Sequence, residues 1–158
     1  MPAKVNIREI VKTDCPLLEE FLYQAIFVPP GTAPPPREII FTAPVHIYIQ
    51  DFGGTHDCGV IAESGGTAVG AAWTRIIPAY GHIDNNTPEL AISILPRFRG
   101  QGIGTKLLTR LFALLRERGY AQTSLAVQKA NPAVRFYKRA GYSTLCEKGE
   151  EYVMIKQL

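Results

Sequence analysis

Apolar residues recur along this chain with two different periods, which together predict a mixed α/β fold. Alternation of apolar and polar positions predicts strands over residues 4–9, 58–63, 68–77, 89–95, 123–127, 142–146 and 152–155. Spacings of three and four predict helices: an apolar stripe over residues 17–26, helices over 105–118 and 132–140, and a short helix over 46–51. The order of these elements predicts one domain spanning residues 1–158.

Prolines, glycines and small polar residues mark the breaks between these elements. Five prolines within residues 28–36 exclude a helix or a central strand and predict a stiff surface loop. Gly65 and Gly66, which follow Ser64, predict a hairpin turn between two strands. Thr13 or Asp14 is predicted to cap the first helix.

Length and composition limit the class of protein. The 158 residues are enough for one domain, and 46% hydrophobic with 20% charged residues is typical of a soluble globular chain. No apolar stretch is long enough to cross a bilayer, and residues 1–5 lack the apolar core of a secretory signal. We therefore expect a cytoplasmic protein without a membrane partner. A net charge of +3 is too small to indicate nucleic-acid binding.

Cysteines and histidines do not indicate a metal site. Cys15, Cys58 and Cys146 lie far apart, which predicts small buried hydrophobes in a reducing compartment. The three histidines show no spacing typical of metal ligands. We therefore predict no metal.

The segment between the strand at 89–95 and the helix at 105–118 is rich in glycine. A strand, a glycine-rich turn and a helix N-terminus in this order direct backbone N–H groups and the positive end of the helix dipole outward. This arrangement predicts a phosphate-binding site over residues 99–104. The segment lacks the G-x-x-x-x-G-K-[ST] pattern of a Walker loop and the G-x-G-x-x-G pattern of a dinucleotide site. It reads R-x-x-G-x-G instead, with Arg99, Gly102 and Gly104 at the defined positions.

A second motif lies downstream, with Asn131, Ala133, Tyr137, Gly141 and Tyr142 at its main positions. It is similar to N-x-x-A-x-x-x-Y-x-x-x-G-F, with the alanine shifted and tyrosine in place of the final phenylalanine. Together the two motifs resemble the GNAT superfamily of acyl-CoA N-acyltransferases. The resemblance covers about residues 5–158 and is strongest over 89–142.

The resemblance implies a fold and an activity. The fold would be the GNAT fold, a central mixed, mostly antiparallel sheet flanked by helices. The activity would be that of an N-acetyltransferase that uses acetyl-CoA as cosubstrate, with a primary amine of a small molecule or a peptide as the acceptor. A homodimer is left open, because pairing of the final strands is common in this family.

The resemblance also implies which residues bind CoA. The backbone of Ile92, Ser93 and Ile94 would hold the pantetheine arm like an added strand, and the N–H of Ile94 would polarise the thioester carbonyl. Asn131, which also precedes Pro132 as an N-cap, would reach the same arm. The pyrophosphate would lie on the loop formed by Arg99, Gly100, Gln101, Gly102, Ile103, Gly104 and Thr105.

Two side chains are candidates for proton transfer. Tyr137 would act as the general acid that protonates the leaving thiolate, since a phenol with a pKa of about 10 can supply that proton. Glu89 would act as the general base for the amine, and an ordered water is the open alternative.

The acceptor is less constrained by the sequence. The proline-rich loop is expected to border its pocket, and Arg75 is a candidate to bind an acidic group on the acceptor. A polyamine or an aminoglycoside would need convergent carboxylates, for which the chain offers Asp51, Asp57, Glu63, Asp84 and Glu89.

Two other functions remain open at this point. One is a GNAT-fold module that binds acyl-CoA without turnover, against which the intact loop and Tyr137 argue. The other is a structural or nucleic-acid-binding α/β domain, against which the small net charge argues.

Overall fold

A seven-stranded sheet forms the centre of the structure, a computed structural model that describes residues 4–158. The segment judged above for a secretory signal lies partly outside the described residues. The strands are β1 (Val5–Glu9), β2 (Cys58–Ser64), β3 (Thr67–Arg75), β4 (Glu89–Ile94), β5 (Gln122–Gln128), β6 (Ser143–Lys148) and β7 (Glu151–Gln157). The α-helices are α1 (Leu17–Ala25), α2 (Ala43–His46), α3 (Ile103–Glu117) and α4 (Ala133–Arg139), and 3-10 helices span Lys12–Asp14, Arg37–Phe41 and Pro96–Phe98.

The sheet is mixed and mostly antiparallel, as predicted. Its strand order is β1-β2-β3-β4-β5-β7-β6, and β4 with β5 form its parallel pair. Gly65 and Gly66 turn the β2–β3 hairpin with φ angles of 59° and 80°, which glycine adopts without strain. The predicted hairpin is therefore confirmed.

Helices cover both faces of the sheet, because each face carries an apolar layer. Leu107 and Leu111 of α3 are fully buried against one face. Leu18 and Phe21 of α1 cover the other face, where they contact the fully buried Trp73 of β3. Burying one such side chain stabilises the fold by about 1.5–3 kcal/mol.

The predicted cap of the first helix is wrong. Thr13 and Asp14 lie in a 3-10 turn, and α1 begins at Leu17 after Pro16. The Asp14 carboxylate accepts the Val11 N–H at 2.8 Å and pairs with Arg8 at 2.7 Å. The Arg8 ion pair and the Val11 N–H thus occupy the Asp14 side chain, which does not cap the helix.

The predicted short helix over residues 46–51 is also displaced. The helix spans Ala43–His46, and residues 47–51 form turns that end at Asp51, whose φ is 55°. Pro44 in the first turn, which fits the start of a helix, explains the earlier beginning.

Burial of the cysteines differs from the prediction. Cys58 is buried, Cys15 is half-buried and Cys146 is exposed on β6. None of the helices within residues 4–158 has the length and apolar character needed to cross a bilayer.

Candidate active site

The glycine-rich loop forms the predicted turn into a helix. Gly100 and Gly102 have φ angles of 74° and 80°, and α3 begins at Ile103, two residues earlier than expected. The Lys106 N–H donates to Gly102 O at 3.3 Å, so the N–H groups in the first turn of α3 point out of the helix end. Outward N–H groups and the positive end of a 15-residue helix favour an anion here.

Gly104 is needed for the packing of α3 against α4, and its backbone does not have a positive φ. A Cβ at this position would lie 3.0 Å from Cζ of Phe136 on α4. The absence of a side chain lets α3 and α4 approach closely. This contact helps to fix the helix that carries Tyr137.

Arg99 is exposed but is tied to the protein by its guanidinium. Nε donates to Ile94 O at 2.9 Å and a terminal nitrogen donates to Gln24 Oε1 at 3.3 Å. The side chain therefore joins the end of β4 to α1. Its charge lies beside the loop, together with the exposed Gln101 and Thr105.

A gap opens between β4 and β5. The two strands pair at Glu89 and Ser124, and no other residues of β4 and β5 pair in the described chain. The Leu95 N–H donates to Val69 O, so Leu95 directs its backbone groups to β3. Because backbone groups along a strand alternate in direction, those of Ile92 and Ile94 face the other way, towards the gap.

Ser93 has a different environment from its two neighbours. The same register directs its backbone to β3, opposite Ala71. Its hydroxyl donates to Phe21 O at 2.6 Å and is buried. Ser93 therefore joins the sheet to α1. It also borders the larger of the two cavities that meet beside the gap.

Two cavities meet beside this gap. The loop cavity, of about 630 Å³, is bordered by Ile94, Arg99 and the start of α4, and also by Pro34 and Pro35 of the proline-rich loop. The hairpin cavity, of about 540 Å³, reaches the β6–β7 hairpin. Residues common to both cavities are Ala25, Ile26, Phe27, Ile92, Asn131 and Tyr137.

Tyr137 lies at the junction of the two cavities. Its ring packs against Phe136 and Tyr142 at centroid distances of 5.5 and 5.9 Å. Burial raises the pKa of its hydroxyl to about 12, because the phenolate would lose its solvation. The side chain is therefore a protonated hydroxyl at neutral pH and has a proton to donate.

Asn131 holds the start of the helix that carries Tyr137. Its Oδ1 accepts the Ala133 N–H at 2.9 Å, and its carbonyl accepts the Val134 N–H at 3.1 Å. These bonds close the turn that leads into α4, which begins at Ala133 with Pro132 at its N-cap, one residue later than the cap that the sequence predicts at Asn131. The residue is half-buried and faces both cavities.

Glu89 is buried rather than exposed at its strand end, with 2% of its surface accessible. Its Oε2 accepts hydrogen bonds from the Tyr48 hydroxyl and, at 3.0 Å, from the Gly81 N–H. Its Oε1 has no partner among residues 4–158. Burial raises the pKa of this carboxyl to about 7, and the hydrogen bonds from Tyr48 and Gly81 partly offset that rise.

Gly81 is glycine because Glu89 and β5 leave no room for a side chain. A Cβ there would lie 2.8 Å from the Ala126 N and 2.9 Å from the Glu89 carboxyl carbon. Gly81 O also accepts the Ser124 hydroxyl at 2.7 Å. These contacts hold the loop between β3 and β4 in place where β4 and β5 separate.

Tyr48, which the sequence did not identify, connects Glu89 to the hairpin cavity. Glu89 does not border that cavity, whereas Tyr48 does. Trp73 Nε1 donates to Tyr48 O at 2.9 Å, and Arg75 donates to Ile47 O at 2.8 Å. Two buried side chains of β3 therefore fix the turn that places the Tyr48 hydroxyl on Glu89.

Arg75 does not face an acceptor, contrary to the expectation above. It is buried and binds both oxygens of Asp57, at 2.9 and 3.1 Å. Glu63 pairs with Arg8 at 2.5 Å. Two of the five acidic candidates are thus committed to arginines and do not converge with Glu89.

Metal ligation is not indicated by the described part of the chain. Within residues 4–158, histidine, cysteine, aspartate and glutamate side chains do not gather in groups of three or more that could hold an ion.

Comparison with known proteins places the chain in a family. The sequence profile of the Acetyltransferase (GNAT) family matches residues 22–142. Mycothiol acetyltransferase of Thermobispora bispora is 36% identical over 85 residues, which is 52% of this chain and 29% of that protein. Thialysine N-epsilon-acetyltransferase of Mus musculus is 40% identical over 57 residues, 35% of this chain and 34% of that protein. The chain thus spans about a third of the length of these curated relatives.

Solved structures share the fold over nearly the whole chain. The PaiA N-acetyltransferase of Thermoplasma acidophilum, solved in complex with coenzyme A, superposes with a TM-score of 0.73 at 18% identity, covering 98% of this chain and 99% of that one. The GNAT domain of S. lividans PAT gives 0.71 at 22% identity, covering 98% and 90%. With the profile match over most of its length, the chain belongs to the acetyltransferase (GNAT) family.

Proposed function

We propose that this protein is an N-acetyltransferase that transfers an acetyl group from acetyl-CoA to a primary amine of a small molecule or a peptide. The observation that carries the proposal is the meeting of the two cavities at Tyr137. One cavity reaches Arg99 at the start of the glycine-rich loop, and the other reaches Tyr48, which holds Glu89. This arrangement suits a reaction in which two substrates enter from different sides.

Acetyl-CoA would occupy the loop cavity. The N–H groups at the start of α3, with Gly100 and Gly102 shaping the turn, would bind the pyrophosphate. The pantetheine amides would pair with the gap-facing backbone of Ile92 and Ile94. The N–H of Ile94 would donate to the thioester oxygen and stabilise the negative charge that develops there.

The acyl transfer would proceed by direct attack. The amine nitrogen forms a bond to the thioester carbonyl carbon, and the bond from that carbon to sulfur breaks. The proton lost by nitrogen passes to the Glu89 carboxylate through Tyr48 or a water, and the sulfur takes the Tyr137 hydroxyl proton. The products are the acetylated amine and the free thiol of CoA.

The location proposed is the cytoplasm, as expected from the sequence. The unpaired state of Cys15, Cys58 and Cys146 in the structure supports it.

The test is a reaction with acetyl-CoA and a panel of primary amines, followed by mass spectrometry of the products. We expect an amine heavier by one acetyl group, together with an equal amount of free CoA thiol. Calorimetric binding of acetyl-CoA with no acetylated amine from any member of the panel would contradict the proposal. That result would favour the alternative, a module that binds acyl-CoA without turnover.

A further inference from the structure

The hairpin cavity has one apolar wall and one acidic end. Its apolar wall comes from α1 and from the segment that contains α2, and includes Leu22, Ile39 and Val45. Its acidic end comes from Glu150 and Glu151 at the β6–β7 hairpin. No lysine or arginine is among the described residues that border it.

The carboxylates at this end, Glu150 and Glu151, form no ion pair within residues 4–158, whereas the neighbouring Glu147 pairs with Lys129 at 2.8 Å. Glu151 is half-buried, and burial raises its pKa. Lys148 stands opposite Glu151 in the hairpin and is exposed. Lys129, whose N–H donates to Glu150 O at 2.9 Å, carries its charge near Glu150 but forms its ion pair with Glu147.

A third carboxyl group lies behind Tyr48, outside the cavity. Glu89 is 2% exposed, its Oε1 is buried without a partner in the described chain, and its other oxygen is held by Tyr48 at the cavity wall. The negative charge of Glu151 raises the pKa of Glu89 further, and the positive charge of Lys148 lowers it. The cavity therefore lies between Glu89 on one side and Glu150 with Glu151 on the other. A positive charge placed in it would stabilise the ionised form of these carboxyl groups.

An acidic acceptor finds no counter-charge in this cavity. Arg75, the candidate for that role, is committed to Asp57, and Arg99 lies on the loop cavity. A carboxylate placed near Glu150 and Glu151 would be repelled, which disfavours such an acceptor.

We propose that the acceptor is an aliphatic diamine, whose reacting amine lies near Tyr48 and whose second ammonium lies against Glu150 and Glu151. The methylene chain between the two nitrogens would lie on the apolar wall of the hairpin cavity. The proposal rests on the proposed acetyl transfer, and it names the class of acceptor for that reaction.

The test compares three primary amines of equal chain length: cadaverine, pentylamine and δ-aminovalerate. They end in an ammonium, a methyl group and a carboxylate. In calorimetric titrations of the CoA-loaded protein, we expect cadaverine to bind at least about tenfold more tightly than pentylamine, and δ-aminovalerate most weakly. Cadaverine and pentylamine binding equally well would overturn the proposal.

Variants separate the hairpin charges from general electrostatics. The double variant Glu150→Gln/Glu151→Gln is expected to lose most of the preference for cadaverine. The control Glu117→Gln removes an exposed carboxylate of α3 that forms no ion pair within residues 4–158 and borders neither cavity, and it is expected to keep the preference. A preference that survives in the double variant would also overturn the proposal.

Turnover distinguishes this inference from the proposed function. Equal kcat/KM for cadaverine and pentylamine would leave acetyl transfer intact and reject the diamine. A binding preference for cadaverine without acetylation of any amine would reject the transfer, and with it the role of cadaverine as an acceptor.

Discussion

Glu89 illustrates how the role of a single residue depends on contacts that its position in the chain does not reveal. At the start of a strand after Pro88, it resembles an exposed charge. In the structure it is buried beneath Tyr48 and Gly81, and its pKa is raised to about 7. A carboxyl group with this pKa accepts a proton efficiently near neutral pH, which suits a general base.

Replacing Glu89 with glutamine separates catalysis from stability. We expect kcat/KM at pH 8 to fall by about 10²-fold, because the amide cannot accept the proton. Since the folded-state pKa of about 7 lies above the usual value of 4.5, this carboxyl lowers the stability of the fold as pH rises from about 4.5 to about 7, and the loss is complete above 7. Glu89→Gln should therefore keep or raise the melting temperature at pH 8, measured by calorimetry. An unchanged kcat/KM would leave water as the base.

Replacing Tyr137 with phenylalanine tests the general acid. The variant removes the hydroxyl and keeps the ring that packs against Phe136 and Tyr142. We expect kcat to fall by about 10²-fold while acetyl-CoA affinity is retained, as followed by thiol release and by calorimetry. Tyr142→Phe is the control, since Tyr142 is buried in the core and borders neither cavity. Full activity of Tyr137→Phe would remove the residue from the mechanism.

At the scale of elements, the turn into α3 is the feature that defines the CoA site. Gly102 at its start and Gly119 just beyond its end both have positive φ, 80° and 86°, with open space around each. Valine at either position costs about 1–2 kcal/mol of backbone strain. The two substitutions are thus matched in strain and differ in position.

We predict that Gly102→Val weakens acetyl-CoA binding at least about tenfold, because it reshapes the turn that presents the N–H groups. Gly119→Val should lower the melting temperature by a similar amount and leave binding unchanged. The measurement is calorimetric titration of both variants beside the wild type. Equal loss of binding in both would show that stability, not loop geometry, controls the affinity.

Local patterns predicted most of these elements. Apolar periodicity placed the seven strands and the longer helices, and the R-x-x-G-x-G segment placed the turn before α3. The segment over residues 37–57 was predicted poorly, because it is held by distant bonds such as those from Trp73 to Tyr48 and from Arg75 to Ile47. Tyr48 was missed for that reason. No signal in its own sequence neighbourhood shows that its hydroxyl meets Glu89.

At the scale of the whole molecule, the edge of the sheet at β6 is the surface that suits self-association. All six residues of β6 are exposed, and Leu145 is 50% accessible. An edge strand presents unpaired N–H and C=O groups to another strand. We propose that a homodimer, which the sequence leaves open, forms along this edge.

Sedimentation tests this proposal. The wild type, kept reduced because Cys146 is exposed, should sediment at twice the chain mass of 17.4 kDa. Leu145→Lys should shift it towards the monomer, since a charge at the edge opposes strand pairing. A monomeric wild type at micromolar concentration would contradict the proposal.

The pH dependence of kcat/KM for the wild type and for Tyr48→Phe tests directly whether Glu89 is the base. The wild type should gain activity as pH rises through about 7, where Glu89 loses its proton. The Tyr48 hydrogen bond lowers the pKa of Glu89, so its removal should move this rise to higher pH. The ionisation of the amine is common to both enzymes, and the difference between the profiles therefore reports Glu89. Identical profiles would contradict the assignment of Glu89, held by Tyr48, as the base.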